Sequence, residues 1–263
     1  MLLVSEMSWL KKQHVGKVVK TKKFNNALTN DVFLIRNSEN IAFIFKRLNQ
    51  QARSENDRQA EFLVQQLAYQ HGLTPQVLAH NKHYKLQQFI AGDLINEQDV
   101  TLFQHLVNQL IRIHKLPVLH APKQRLGFEL LRLKQQVTEK IDESVFQKRL
   151  HLATQLDQEC PNDTLCHGDL SVNNVLVGTD KHLYILDWEY AVIACAAYDL
   201  AFCCCINQFS AKDSRQLIEL YYGQYSQPLA QSLDSLQKQC DLYFQVFTYI
   251  NELWSLCFLE KDN

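Results

Sequence analysis

His167-Gly168-Asp169-Leu170-Ser171-Val172-Asn173-Asn174, followed by Ile185-Leu186-Asp187-Trp188-Glu189, is the most informative part of the chain. It sets Asp169, Asn174 and Asp187 at a spacing that phosphoryl transfer can use. Between the two blocks, Val175-Leu176-Val177-Gly178 and Leu183-Tyr184-Ile185-Leu186 read as short apolar strands joined by the polar turn Gly178-Thr179-Asp180-Lys181. A hairpin there would return Asp187 beside Asn174. Two oxygen ligands at neighbouring strand ends are what a Mg²⁺ bound to nucleotide phosphates needs. Asp169, earlier on the loop, would accept the proton of an attacking hydroxyl. His167 reads as a brace for the loop rather than an acid or base. A hydrolase triad is disfavoured, because no Gly-x-Ser-x-Gly elbow occurs in the chain.

The composition permits such a site. The chain has 263 residues, 46% hydrophobic and 21% charged, which is ample for one large domain or two lobes. No apolar run reaches the roughly 18 residues that span a bilayer, and Met1 to Glu6 makes a poor signal peptide because an acid arrives early. All eight cysteines lie beyond residue 159, three of them consecutive at Cys203-Cys204-Cys205. In an apolar run they read as small buried hydrophobes, and a reducing cytoplasm is the expected compartment. Neither nucleic acid nor a membrane span is expected. Net charge is -1, yet residues 1–90 hold 13 Lys/Arg against 6 Asp/Glu, and residues 91–263 hold 14 against 22. That split suits a protein taking an anion on one part and a cation on another. The alternative for the lysines from Lys11 to Lys23 is that they solvate an edge strand.

Along the chain, the first ninety residues read mostly as strand, at Gly16 to Phe24, Asp31 to Ile35 and Ile41 to Leu48. Ser54 to His71 reads as a helix, capped by Ser54, striped by Phe62, Leu63, Leu67 and Ala68, and stopped by Gly72. Short strands follow around Val77-Leu78 and from Tyr84 to Ile90. Gly92 ends that pattern. Helices are expected over Val100 to His114, Phe128 to Leu156, Ala197 to Ile206, Arg215 to Tyr225 and Leu229 to Leu259. The division therefore falls near residues 90–92, giving 1–90 as a small β-rich lobe and 91–263 as a larger, mainly helical one.

His167-Gly168-Asp169…Asn174, Leu186-Asp187-Trp188-Glu189-Tyr190 and Tyr198-Asp199-Leu200-Ala201, in that order, resemble the aminoglycoside phosphotransferase/choline kinase superfamily. Asp-Trp-Glu-Tyr is similar to the branch of bacterial choline, ethanolamine and thiamine kinases. The resemblance implies an α+β, protein-kinase-like fold of two lobes that moves the γ-phosphate of ATP, with Mg²⁺, to a small-molecule alcohol. It implies Asp169 as the catalytic carboxylate and Asn174 and Asp187 as the metal ligands. Lys46, in Phe43-Ile44-Phe45-Lys46-Arg47, resembles the strand-borne cation that holds the α- and β-phosphates. Alternation puts Arg47 on the opposite face, and the apolar Phe43 and Phe45 do not themselves decide which cation faces the nucleotide; the family pattern favours Lys46. Glu61 matches the helix glutamate that pairs with that lysine, a solvated helix carboxylate being the alternative. Gln88, Phe89 and Ile90 align with the linker whose backbone pairs the adenine edge.

One departure from the pattern is plain. The phosphate loop usually carries glycine, whereas here Asn25, Asn26 and Ala27 precede Leu28-Thr29-Asn30, a segment that otherwise matches the family's Leu-Thr-Asn. Asn tolerates positive φ, so a tight turn remains open to it. For the acceptor, Glu189 and Asp199 with Trp188, Tyr190 and Trp254 would suit a cationic alcohol such as choline, ethanolamine or thiamine. Core packing is the alternative for each ring, and bracing of the catalytic loop the alternative for Asp199. Trp254-Ser255-Leu256-Cys257 keeps only the first ring of the choline kinases' Trp-x-x-Trp. Other readings are an aminoglycoside-type phosphotransferase and a nucleotide-binding regulatory module with weak or no turnover. A protein kinase is disfavoured, because no Asp-Phe-Gly or Ala-Pro-Glu segment bounds an activation loop.

Overall fold

The computed structural model describes residues 2–24, 30–49, 55–119, 121–225 and 231–259. It contains two compact units, Met1–Leu94 with Leu176–Glu189, and Ile95–Val175 with Tyr190–Asn263. In chain order the elements begin with α1 (Val4–Lys12), β1 (Val18–Phe24), β2 (Asp31–Asn37), β3 (Ala42–Arg47) and α2 (Glu55–Gln70). Then come β4 (Val77–His80), β5 (Tyr84–Gln88), β6 (Gly92–Leu94), α3 (Leu102–His114), α4 (Leu126–Gln136) and α5 (Glu143–Glu159). β7 (Thr164–Cys166), β8 (Val175–Gly178), β9 (Leu183–Ile185) and β10 (Val192–Ala194) follow, and α6 (Ala196–Ile206), α7 (Ala211–Gln224) and α8 (Leu233–Leu259) complete the chain.

The first unit is built on an antiparallel sheet in the order β1-β2-β3-β5-β4. Successive side chains on a strand point to opposite faces. Phe33 and Ile35 of β2, Phe45 of β3 and Leu86 of β5 accordingly share one face, and all are buried with Leu10 of α1. Trp9 of α1 packs its ring 6.0 Å from Phe45 and 5.4 Å from Tyr84. Each such fully buried apolar side chain contributes about 1.5–3 kcal/mol. The sequence pattern of an initial run of strands omits α1, whose apolar residues are few and whose buried face includes a glutamate, Glu6. β1 is an edge strand, and Lys20, Lys22 and Lys23 on it are exposed.

A second sheet in this region has the order β6-β8-β9. The hairpin expected from the sequence is present: Gly178 N–H donates to His182 O and Lys181 N–H to Gly178 O across the turn. Gly92 does not end the strands but begins β6, pairing with Gly178; a Cβ at Gly92 would collide with the backbone of Val177. Leu176–Glu189 thus belongs with the first unit although it lies late in the chain.

The second unit is helical, apart from the β7–β10 pair. The single stretch expected over Phe128 to Leu156 is two helices. α4 stops at Gln136, and Asp142 caps α5 by accepting from the N–H groups of Ser144 (2.8 Å) and Val145 (3.1 Å). A short acceptor that satisfies orphan donors at a helix start is worth more there than inside a helix. All eight cysteines are free, and all but Cys205 are buried. No helix among the described residues is long and apolar enough to cross a membrane.

Candidate active site

In the first unit, Lys46 and Arg47 leave β3 on opposite faces. Arg47 turns to the face covered by α1, where Glu6 and Asp31 take its guanidinium; Arg47 Nη1 lies 2.7 Å from Asp31 Oδ2. Lys46 turns to the other face and donates to Asp187 Oδ1 at 3.2 Å. The presence of α1 is what separates the two cations. Burial opposes the charge on Lys46, but Asp187, with Glu61 and Glu189 beyond it, more than offsets this and raises its pKa. Asp187 adopts a left-handed backbone, φ 59°, two residues beyond β9. Residues outside glycine rarely hold that conformation, and it clusters at functional sites.

Behind this pair lies a buried network. Lys85 of β5 makes a short ion pair with Glu61 of α2 and donates to Gln65 Oε1 at 3.2 Å. Arg58, one turn before Glu61, reaches both Glu61 and Glu189, each at 3.3 Å. Asn30 donates to Glu189 (3.3 Å) and accepts from Asn49 N–H (3.0 Å). Burial alone would raise the Glu61 pKa; Lys85, and then Lys46, hold it below the ordinary glutamate value.

In the second unit, the loop from His167 to Asn174 is held from below by α6. Asp199, in the first turn of α6, accepts from the N–H groups of His167 (2.8 Å) and Gly168 (2.9 Å). Its Oδ2 also meets His114 Nε2 at 3.1 Å, and His114 Nδ1 meets the Tyr221 hydroxyl at 2.7 Å. Burial would push the Asp199 carboxyl up, yet His114 and the Gly168 N–H keep it low. At the other end of α6, Asn207 accepts from Val172 N–H (2.8 Å) and donates to Leu170 O (3.1 Å). Gly168 sits at φ 73°, and a Cβ there would collide with the Tyr190 carbonyl. Asn174 donates its Nδ2 to Asp169 Oδ2 (2.9 Å) and to Asp169 O (2.8 Å). His167 Nδ1 accepts from Asp169 N–H at 3.2 Å, so it braces the loop.

The residues expected from the sequence fall into distinct places. Asp169 and Asn174 are bonded to each other, and Lys46 is bonded to Asp187. Glu61 bonds Lys85 and Arg58 rather than Lys46, because Lys85 lies directly across the ladder from Lys46 and competes for the same carboxylate. Gln88 ends β5, and Phe89 and Ile90 continue beyond the sheet. Trp188 is fully buried with its indole N–H on Ile185 O (3.3 Å), and Glu189 is buried against Arg58 and Asn30. Both side chains are turned inward in this structure. Tyr190 is 42% exposed and Trp254 half-buried. Asp199 is the brace. Residues Asn25 to Thr29 and Ser54 lie outside the described residues. Sequence reasoning missed Arg58, Lys85, His114 and Asn207. Their only sequence signal is a charged or polar residue at an otherwise apolar position of a strand or helix.

The donor chemistry suits a hard divalent cation. In the first unit Asp187 offers a carboxylate, one-third exposed; in the second, taken by itself, Asn174 keeps its amide oxygen while its Nδ2 is spent on Asp169. Each unit thus carries groups that phosphotransferases use, the first a cationic strand residue and a half-open carboxylate, the second a braced Asp/Asn loop. The model of the APH phosphotransferase enzyme family matches residues 20–236, and the chain belongs to that family. No protein of curated function matches the sequence significantly.

Solved structures similar to the chain include the choline kinase LicA from Streptococcus pneumoniae, 18% identical over 98% of this chain and 92% of that one, with a TM-score of 0.74. An amicoumacin kinase in complex with AMP-PNP, Ca²⁺ and Ami is 16% identical over 95% and 86%, with a TM-score of 0.76. Plasmodium vivax ethanolamine kinase is 14% identical over 90% and 76%, with a TM-score of 0.68. At these identities the likeness establishes the fold: an α+β, kinase-like phosphotransferase with a β-sheet N-terminal region and a helical C-terminal region, as the sequence blocks implied.

Proposed function

We propose that the protein is an ATP- and Mg²⁺-dependent phosphotransferase whose acceptor is the hydroxyl of a small cationic alcohol, of the choline, ethanolamine or thiamine kind. The observation that carries the reading is the selection of Lys46 over Arg47. A buried cation on the third strand is paired with a half-open carboxylate 141 residues away, and that carboxylate follows a braced Asp/Asn loop. Lys46 would hold the nucleotide phosphates. The backbone of Gln88, Phe89 and Ile90 would pair the adenine edge, as in the family pattern. Asn174 and Asp187 would hold Mg²⁺, which supplies charge neutralisation at the phosphate oxygens. Asp169 takes the acceptor's hydroxyl proton as that oxygen bonds the γ-phosphorus and ADP leaves.

For the acceptor, the support is the acid excess of residues 91–263 together with the partly exposed rings of Tyr190 and Trp254. With Trp188 and Glu189 buried, the acid excess of residues 91–263 also suits, as a second reading, a larger polycationic acceptor of the aminoglycoside kind. ADP release measured in parallel against choline, ethanolamine, thiamine and kanamycin decides between them. Turnover with one of the first three supports the proposal, and turnover with kanamycin alone supports the second reading. ATP binding without release on any acceptor would point to a regulatory module.

A further inference from the structure

In the second unit, two anchors set α4 beside Tyr190. Just ahead of α4, Ile193 N–H donates to Pro122 O at 2.7 Å and Gln124 N–H to Ile193 O at 3.0 Å, three residues beyond Tyr190. At the far end of α4, Cys257 of α8, one turn after Trp254, donates its thiol to Leu133 O at 3.8 Å. Tyr190 in turn packs on the loop that carries Asp169, since a Cβ at Gly168 would lie 3.4 Å from the Tyr190 Cβ. Between the two anchors, Arg132 Nε donates to Glu129 Oε2 at 2.9 Å, and Arg132 Nη1 to Gln136 Oε1 at 3.3 Å. Both members of the ion pair are more than one-third exposed. The hydrogen bond from Arg132 to Glu129 raises the arginine's pKa against the cost of burial, and Tyr190 and Cys257 are close enough to add to the rise.

We infer that the Glu129–Arg132 pair reads the charge of the acceptor: the acceptor's cation takes Glu129, and the Arg132 it displaces passes to Gln136. This rests on the cationic-acceptor reading above and names the side chains that enforce it. The carboxylates expected for that role, Glu189 and Asp199, are both buried, whereas Glu129 stands open beside Tyr190. Water screens a half-open ion pair, so the pair is held weakly and an incoming cation can exchange for Arg132. Gln136 Oε1 already accepts from the guanidinium, which gives the displaced fork a partner. An uncharged alcohol has nothing to offer Glu129, and with it the pair stays closed. Glu129 and Arg132 therefore act on the acceptor in opposite senses, one attracting its cation and the other competing with it.

The test is ADP release by the wild type, Glu129→Gln, Arg132→Met and the double variant, with whichever of choline, ethanolamine, thiamine and kanamycin the wild type turns over fastest. Glu129→Gln should raise the acceptor KM about five- to tenfold, through loss of a charge-assisted contact, with kcat and the KM for ATP unchanged. Arg132→Met should lower the acceptor KM about threefold, because Glu129 loses its resident partner, and should have no effect in the Glu129→Gln background. A merely structural ion pair predicts the same direction for both single variants. Equal directions, or both acceptor KM values within about twofold of wild type, overturn the inference. If Glu129→Gln does not fold, Arg132→Met decides: a lower acceptor KM supports the inference, and an unchanged or higher one overturns it. A wild type that turns over none of the four overturns the cationic-acceptor reading and this inference together, a result distinct from turnover with variants that move in one direction.

Discussion

Around Lys46 side chains hold one another; around Asp169 side chains hold the backbone. The first arrangement is a mostly buried set of ion pairs in which Glu61 meets two cations and Arg58 two carboxylates. Such a set can re-pair when a ligand brings new charge. In the second, Asp199 and Asn207 accept from or donate to the peptide groups of His167, Gly168, Leu170 and Val172. Peptide groups have no alternative rotamer, so that loop is set before substrate arrives. A kinase gains from both, because phosphate binding needs cations that can be released to the ligand, whereas proton transfer needs a carboxylate kept in one place.

The contrast can be broken most severely at Asp169. Asp169→Ala should lower turnover about 10³-fold, as expected for removal of a general base, while the melting temperature stays unchanged. ADP release together with a thermal melt checks both, and retained turnover would remove Asp169 from its assigned role.

Asp199→Ala should act on stability instead. Losing the Asp199 carboxylate strands the buried N–H groups of His167 and Gly168, at about 1–3 kcal/mol each, measurable as a lowered urea midpoint. The pH dependence sharpens the point. The folded pKa of Asp199 is depressed, so its contribution is complete above the unfolded value, about 3.9, and is lost as pH falls through the folded one. The wild type should therefore lose stability below about pH 4, and Asp199→Asn should show a shallower loss over the same window. Equal acid slopes would contradict the brace.

Asn207→Ala should cost less, about 1–2 kcal/mol, since the hydrogen bonds of a neutral amide are lost rather than those of a buried carboxylate. Its activity loss should appear in the acceptor step and leave nucleotide affinity alone. The smallest effect should come from Arg47→Met. Arg47 is 30% exposed, and its pairs with Glu6 and Asp31 lie on the α1 face, so nucleotide binding should be unaffected. Lys46→Met, one residue earlier, should weaken nucleotide binding at least about tenfold, as loss of a charge-assisted phosphate contact does. Calorimetry on the two variants separates the faces of β3. Equal losses would mean that α1 does not divide them.

Much of this was legible in the chain. The β8–β9 hairpin could be read because two apolar runs flank a polar turn, and Asp169, Asn174 and Asp187 could be placed because loop and hairpin are contiguous in sequence. The break between α4 and α5 was less legible, since the apolar spacing continues across it and only the cap at Asp142 marks the new start. Trp188 and Glu189 looked like acceptor-binding groups because their local pattern is shared with kinases of cationic alcohols. Glu189 instead meets Arg58 and Asn30, more than a hundred residues earlier, and no local pattern encodes that.

The α+β class, the family and the order of the chemical groups can be read from the chain alone, because they follow from periodicity and from motifs contiguous along it. Long-range packing was needed to show which cation of Lys46-Arg47 turns toward Asp187, which lysine takes Glu61, and that Asp199 accepts from the loop's peptide groups. Strand alternation leaves two faces equivalent until another element covers one of them. Here the covering element is α1, whose buried Glu6 claims Arg47 and leaves Lys46 to Asp187.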